Sequence, residues 1–98
     1  RAPKGNWGEG IQPYIYEITI SPNPARSVTE LRHNLPSFDL DREFLIQDWN
    51  GNIVRRISVA NDQSSVSIDV SSLADGNYIA SILTRGVTRA SAQMIVAK

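Results

Sequence analysis

The 98-residue sequence predicts an all-β domain, an antiparallel sandwich of about seven strands. Three observations carry this. Short apolar runs alternate with polar residues at period two, the pattern of half-buried strands. Turn-forming residues separate these runs at spacings of about ten residues. No apolar repeat of helical period lasts longer than a turn. The length allows one hydrophobic core and no second. An apolar share of 41%, with only five prolines and six glycines, suits a globular chain rather than a disordered or fibrous one.

Residues 1–13 contain three glycines, two prolines and Trp7 without periodicity, and are expected to form a linker or edge segment ahead of a sandwich over residues 14–98. Alternation begins at Tyr14: Tyr14, Tyr16, Ile18 and Ile20 share one face of a first strand, with Glu17 and Thr19 on the other. Ser21-Pro22-Asn23-Pro24 ends it in a corner, because proline lacks a donor N–H and biases the preceding residue away from helix. Val28 to His33 makes a second strand, closed by Asn34-Leu35-Pro36-Ser37. A loop to about Arg42 follows, polar apart from Leu35, Phe38 and Leu40. Glu43–Gln47, the turn Asp48-Trp49-Asn50-Gly51-Asn52 and Ile53–Val59 read as a hairpin, with Asn50-Gly51 supplying the positive φ angles of a tight turn. Val66, Ile68 and Val70 alternate with Ser65, Ser67 and Asp69 in a fifth strand. Ile79–Leu83, a turn at Arg85-Gly86 and a strand from Thr88 to Ala97 complete the set. The spacing of Leu73, Gly76 and Tyr78 resembles the tyrosine corner of immunoglobulin-like sandwiches, in which a tyrosine hydroxyl bonds back to the backbone between sheets.

Ten basic residues balance ten acidic ones, so no global field attracts a phosphate backbone or an anionic membrane, and nucleic acid is not expected as a partner. Arg85, Arg89 and Lys98 follow Asp75 with no further acid, which leaves a basic tail. Cysteine is absent, so disulfides, thiolate metal sites and cysteine nucleophiles are excluded together. No run of 18 apolar residues occurs, and residues 1–20 lack the features of a signal peptide. A chain opening at Arg1 is expected to be part of something longer.

The sequence offers no catalytic constellation. His33 is the single histidine and is expected to be structural or exposed. Asp48, Asn50 and Asn52 have the one-three-five spacing of a calcium loop, but glycine falls at position four instead of six and position twelve lacks glutamate. Asp39, Asp41 and Glu43 read as a solvated edge rather than a glycosidase pair. Trp49 is expected to pack back on a neighbouring strand, a ligand platform being the alternative. No cofactor or small-molecule substrate is expected.

Pro22-Asn23-Pro24-Ala25 after an alternating strand, Asp48 to Gly51 in the central hairpin, Leu73-x-x-Gly76-x-Tyr78, and Met94-Ile95-Val96-Ala97-Lys98 at the end occur in one order. Together they resemble the C-terminal sorting domain of the type IX secretion system, over residues 14–98. The resemblance implies a non-catalytic address on an upstream passenger that reaches the periplasm by an ordinary signal peptide. An outer-membrane translocon would carry the passenger to the cell surface, and a sortase-like peptidase would remove the domain and join the passenger to a lipopolysaccharide anchor. Pro22, Asn23 and Pro24 would mark the domain start; Ile95, Val96 and Lys98 would lie in the strand that the machinery reads. Gly5-Asn6-Trp7-Gly8 is similar instead to the opening of small secreted sandwiches of unknown function from the same bacteria, which would make the chain a free-standing binding or surface module. A carbohydrate-binding accessory sandwich is the third reading, with Trp49, Tyr14 and Tyr16 as its aromatics.

Overall fold

The computed structural model describes residues 15–98; the expected linker over residues 1–13 and Tyr14 lie outside the described residues. Seven strands form: β1 (Ile18–Ser21), β2 (Val28–His33), β3 (Arg42–Asp48), β4 (Ile53–Val59), β5 (Ser65–Asp69), β6 (Gly76–Thr84) and β7 (Val87–Val96), with no helix among the described residues. A three-stranded sheet, β1-β2-β5, faces a four-stranded sheet, β4-β3-β6-β7, and every neighbouring pair within a sheet is antiparallel. This is the all-β, immunoglobulin-like sandwich that the periodicity predicts.

Alternation explains the core. Leu31, Phe44, Ile46, Ile82, Met94 and Val96 point between the sheets and are fully buried, each removing from water a side chain worth roughly 1.5–3 kcal/mol. Arg32, next to Leu31, and Ser67 and Asp69, which alternate with the buried Val66, Ile68 and Val70, face solvent.

Three local expectations are corrected. The first strand starts at Ile18 and does not include Tyr16: the amide side chain of Asn34 donates to the Ile15 carbonyl and accepts from the Glu17 N–H, taking the place of ladder pairing there. At the β3–β4 turn only Gly51 has positive φ (89°), and Asn50 does not. Gly51 N–H bonds to Asp48 O at 3.0 Å and Asp48 N–H to Asn52 O at 2.9 Å, a three-residue loop with glycine in the left-handed position. The two-residue turn with both φ positive is at Arg85 (52°) and Gly86 (79°), between the paired Thr84 and Val87. Trp49 is 68% exposed at its turn and does not pack back.

The polar loop before β3 hides a staple. Arg42 is 6% exposed, and its guanidinium donates to the carbonyls of Asp39 (2.7 Å), Pro36 (2.9 Å) and Asn61 (2.9 Å), tying the β2–β3 loop to the β4–β5 loop.

Candidate recognition site

The proline corner and the end of β7 meet. Ser21-Pro22 and Asn23-Pro24 are both cis peptides, and residues 21–24, the end of β1 and the start of the link to β2, are exposed. Flanked by prolines that cannot donate, Asn23 uses its side chain as a substitute backbone. Its Nδ2 donates to the Gln93 carbonyl at 3.0 Å, and its Oδ1 accepts from the Ile95 N–H at 2.9 Å. Ala25, fully buried, continues the contact as a parallel bridge to Val96: its N–H bonds to Ile95 O at 2.7 Å, and its carbonyl accepts from Ala97 N–H at 2.9 Å. Two elements about seventy residues apart in sequence thus become one surface.

Lys98 is seated on the β5–β6 loop. Its ammonium donates to the carbonyls of Ser71, at 2.8 Å, and Leu73, while its main-chain N–H reaches Asp75 Oδ1 at 3.3 Å. The same loop carries the tyrosine corner, where Tyr78 Oη donates to the Ala74 carbonyl at 2.6 Å from a ring only 6% exposed. Leu73 is buried beneath it, and Gly76, with φ 153°, opens β6 opposite Val96. Asp69 holds the loop entrance. The Ser71 hydroxyl and amide bonded to its carboxylate, aided by the charges of Arg55 and Lys98, keep its pKa below the ordinary value.

Of the residues singled out in the sequence, Pro22, Asn23, Pro24, Ile95, Val96 and Lys98 are therefore brought together, and Leu73, Gly76 and Tyr78 adjoin them. Val96 is buried and Ile95 half-buried, so the face offered to solvent consists of the corner residues, Ala97 and the rim of the Lys98 seat. A groove of about 490 Å³ runs alongside, lined by Pro22, Pro24, Arg26, Ser27, Val28 and Ala97. Asp48, Asn50 and Gly51 stand at the same end of the four-stranded sheet, since Asp48 pairs with Tyr78 and Tyr78 with Met94. Asp48 is a turn organiser: its carboxylate accepts from the N–H groups of Asn50 and Asn52, both at 2.9 Å, and from Asn52 Nδ2 at 3.2 Å. Those bonds, Asn52 first, hold its pKa below the ordinary value.

Sequence reasoning missed Ala25, Ser71 and Asp75 as partners of the end of β7. Asp69-x-Ser71 has the spacing of an Asx turn, the one local signal that the loop was built to hold something. His33 is structural. Leu35 N–H donates to its Nδ1 at 3.0 Å and Gln63 O accepts from Nε2 at 2.7 Å, so the ring is the neutral Nε2–H tautomer with neither nitrogen free. Burial, with the nearby Arg42 charge, lowers its pKa, against the raising effect of the Gln63 bond.

Set beside known proteins, the sequence matches a family model described as the secretion system C-terminal sorting domain over residues 19–97. No curated protein matches it. Among solved structures, dimeric latent PorU from Porphyromonas gingivalis is similar in fold, with a TM-score of 0.64 and 24% identity. The alignment covers 90% of this chain and 10% of the PorU chain, so this chain spans about a tenth of that protein's length.

Proposed function

The chain belongs to the secretion system C-terminal sorting domain family, and from that premise we propose that the joined proline corner and β7 terminus are the surface by which the type IX machinery selects its cargo. A sorting domain of this family directs secretion to the cell surface or the extracellular space, and such domains are typically non-catalytic. The passenger lies upstream in this reading, passes through the periplasm, and crosses the outer membrane after the translocon engages this domain. A sortase-like peptidase then cuts the domain away.

One observation carries the assignment of the surface: Asn23 and Ala25 bind the main chain of Gln93 to Ala97 at four points, so residues that the family motif places at opposite ends of the domain form one epitope. Pro22, Asn23, Pro24, Ile95, Val96 and Lys98 are its proposed members. The test is a passenger fusion expressed in a bacterium that carries the secretion system. Deleting Met94–Lys98 should leave the passenger in the periplasm, and normal surface delivery of the truncated fusion would sink the proposal.

A further inference from the structure

At the start of β2 the fold leaves a set of binding groups unused. β1 stops at Ser21, opposite Glu30, where prolines that cannot donate take over the chain. The Ser27 carbonyl accepts from the Val70 N–H, so Ser27 faces β5; by the alternation of an antiparallel ladder, Val28 turns its N–H and C=O the other way, past the end of β1. Neither group has a protein partner among the described residues, and Val28 is half exposed. The groove of about 490 Å³ opens at this point, with Pro22, Pro24, Val28 and Ala97 as its apolar walls and Arg26 on its rim. Arg26 is the unspent charge of the domain. Arg32, Arg56 and Arg85 pair with carboxylates, and Arg42, Arg55, Arg89 and Lys98 donate to carbonyls or hydroxyls of the fold. Among the described residues Arg26 alone has no acceptor, and it is exposed.

Resting on the sorting reading above, we propose that this groove takes an extended acidic peptide segment of the secretion machinery. Its main chain pairs with Val28, its carboxylate meets Arg26, and an adjacent aliphatic side chain lies against Pro22, Pro24 and Ala97. Val28 presents one donor and one acceptor together, and a peptide unit carries the complement of both; main-chain pairing of this kind supplies affinity while side-chain contacts supply selectivity. A phosphate group offers acceptors and would leave the Val28 C=O unmet. Charge points the same way. A single free guanidinium matches the one charge of a carboxylate, which it can hold through two parallel N–H bonds, whereas a phosphate carries roughly 1.5–2 negative charges and is commonly met by a cluster of cations. The chain has a formal net charge of zero, so no background field draws anions in general, and Arg26 sets the preference locally.

The test varies Arg26 in the passenger fusion. Because its side chain bonds to nothing in the domain, Arg26→Gln and Arg26→Glu should melt within the range of ordinary surface substitutions. At low expression, the initial rate of surface delivery should fall on the order of tenfold for Arg26→Gln, the loss expected for one charge-assisted bond, and further for Arg26→Glu. Arg26→Lys should restore most of the rate. Arg32→Gln removes the same charge from β2 outside the groove and should deliver like the parent. Normal delivery by Arg26→Glu, or an equal loss in Arg32→Gln, would overturn the groove and leave the sorting reading intact. A parent fusion that never reaches the surface would overturn both. The class of ligand is read on the 98-residue chain by NMR titration. Acetyl-leucyl-aspartyl amide should move the Val28 amide resonance, while acetyl-leucyl-asparaginyl amide and inorganic phosphate should leave it in place; an equal response to phosphate, or none to the aspartyl probe, would overturn the acidic peptide.

Discussion

Tyr78→Phe removes one oxygen atom and nothing else, which makes it the cleanest probe of how the β5–β6 loop is held. The ring is 6% exposed and packs in the core, so its burial is unchanged by the substitution. The atom lost is the donor of the 2.6 Å bond to Ala74 O. Ala74 is exposed, so water can take over its carbonyl, and the cost should be near the ordinary net value of about 1 kcal/mol rather than the larger penalty of a stranded buried acceptor. For a domain of this size, that corresponds to a fall of about 4–8 °C in melting midpoint. Denaturant titration should give the same loss with an unchanged slope, since the surface exposed on unfolding is the same. Ala74 lies between Leu73, whose carbonyl accepts from the Lys98 ammonium, and Asp75, whose carboxylate accepts from the Lys98 N–H. Amide exchange at Lys98 should therefore quicken in the variant more than exchange in β3. An unchanged midpoint, or a loss spread evenly over the fold, would refute the view that the corner holds the seat of Lys98.

Two further outcomes follow from the other loop cluster. His33 has a folded-state pKa below the ordinary 6.5, so under acid the unfolded chain takes up a proton that the folded chain resists. Stability should fall as pH drops below about 6.5 and stop falling once the lower folded-state value is passed. His33→Gln should remove this component of a pH-stability profile; a flat wild-type profile between pH 7 and 5 would count against it. Arg42→Met keeps the apolar stem but strands three carbonyl acceptors, which at roughly 1 kcal/mol each should cost about 3 kcal/mol in chemical denaturation. A loss within about 0.5 kcal/mol, the range of ordinary surface substitutions, would show that the staple is incidental.

Strand content was legible because period-two alternation is a local property: Val66, Ile68 and Val70 announce their face without reference to anything distant. The tyrosine corner was legible for the same reason, its donor and acceptor being four residues apart. What could not be read was which distant backbone a polar side chain would meet. Asn34 in place of a ladder before β1, Arg42 on three carbonyls and Asn23 on β7 are polar residues whose partners depend on how loops converge after the sheets pack. Turn type also resisted, since Asn-Gly permits two positive φ angles without requiring them, and the Asp48 carboxylate selected the longer loop through its bonds to Asn50 and Asn52. At Arg85-Gly86 the paired Thr84 and Val87 left only two residues to turn in, and that forced both angles positive.

Charge alone would assign the wrong role to Lys98. As the last residue of a basic tail it looks like a free cation awaiting an acidic partner, yet its ammonium is held by the Ser71 and Leu73 carbonyls. Its charge is spent on fixing the end of β7 against the tyrosine corner. The consequence is architectural. The Asn23–Ile95 and Lys98–Ser71 contacts span 72 and 27 residues, so the surface they define exists only when both sheets have formed and packed. Under the proposal above, the secretion machinery reads a completed sandwich rather than a linear tag. Asn23 and Ala25 also satisfy the main chain from Gln93 to Ala97, closing an edge that would otherwise be a template for strand pairing. On that proposal, selectivity for a folded domain and protection of its edge are two effects of the same few hydrogen bonds.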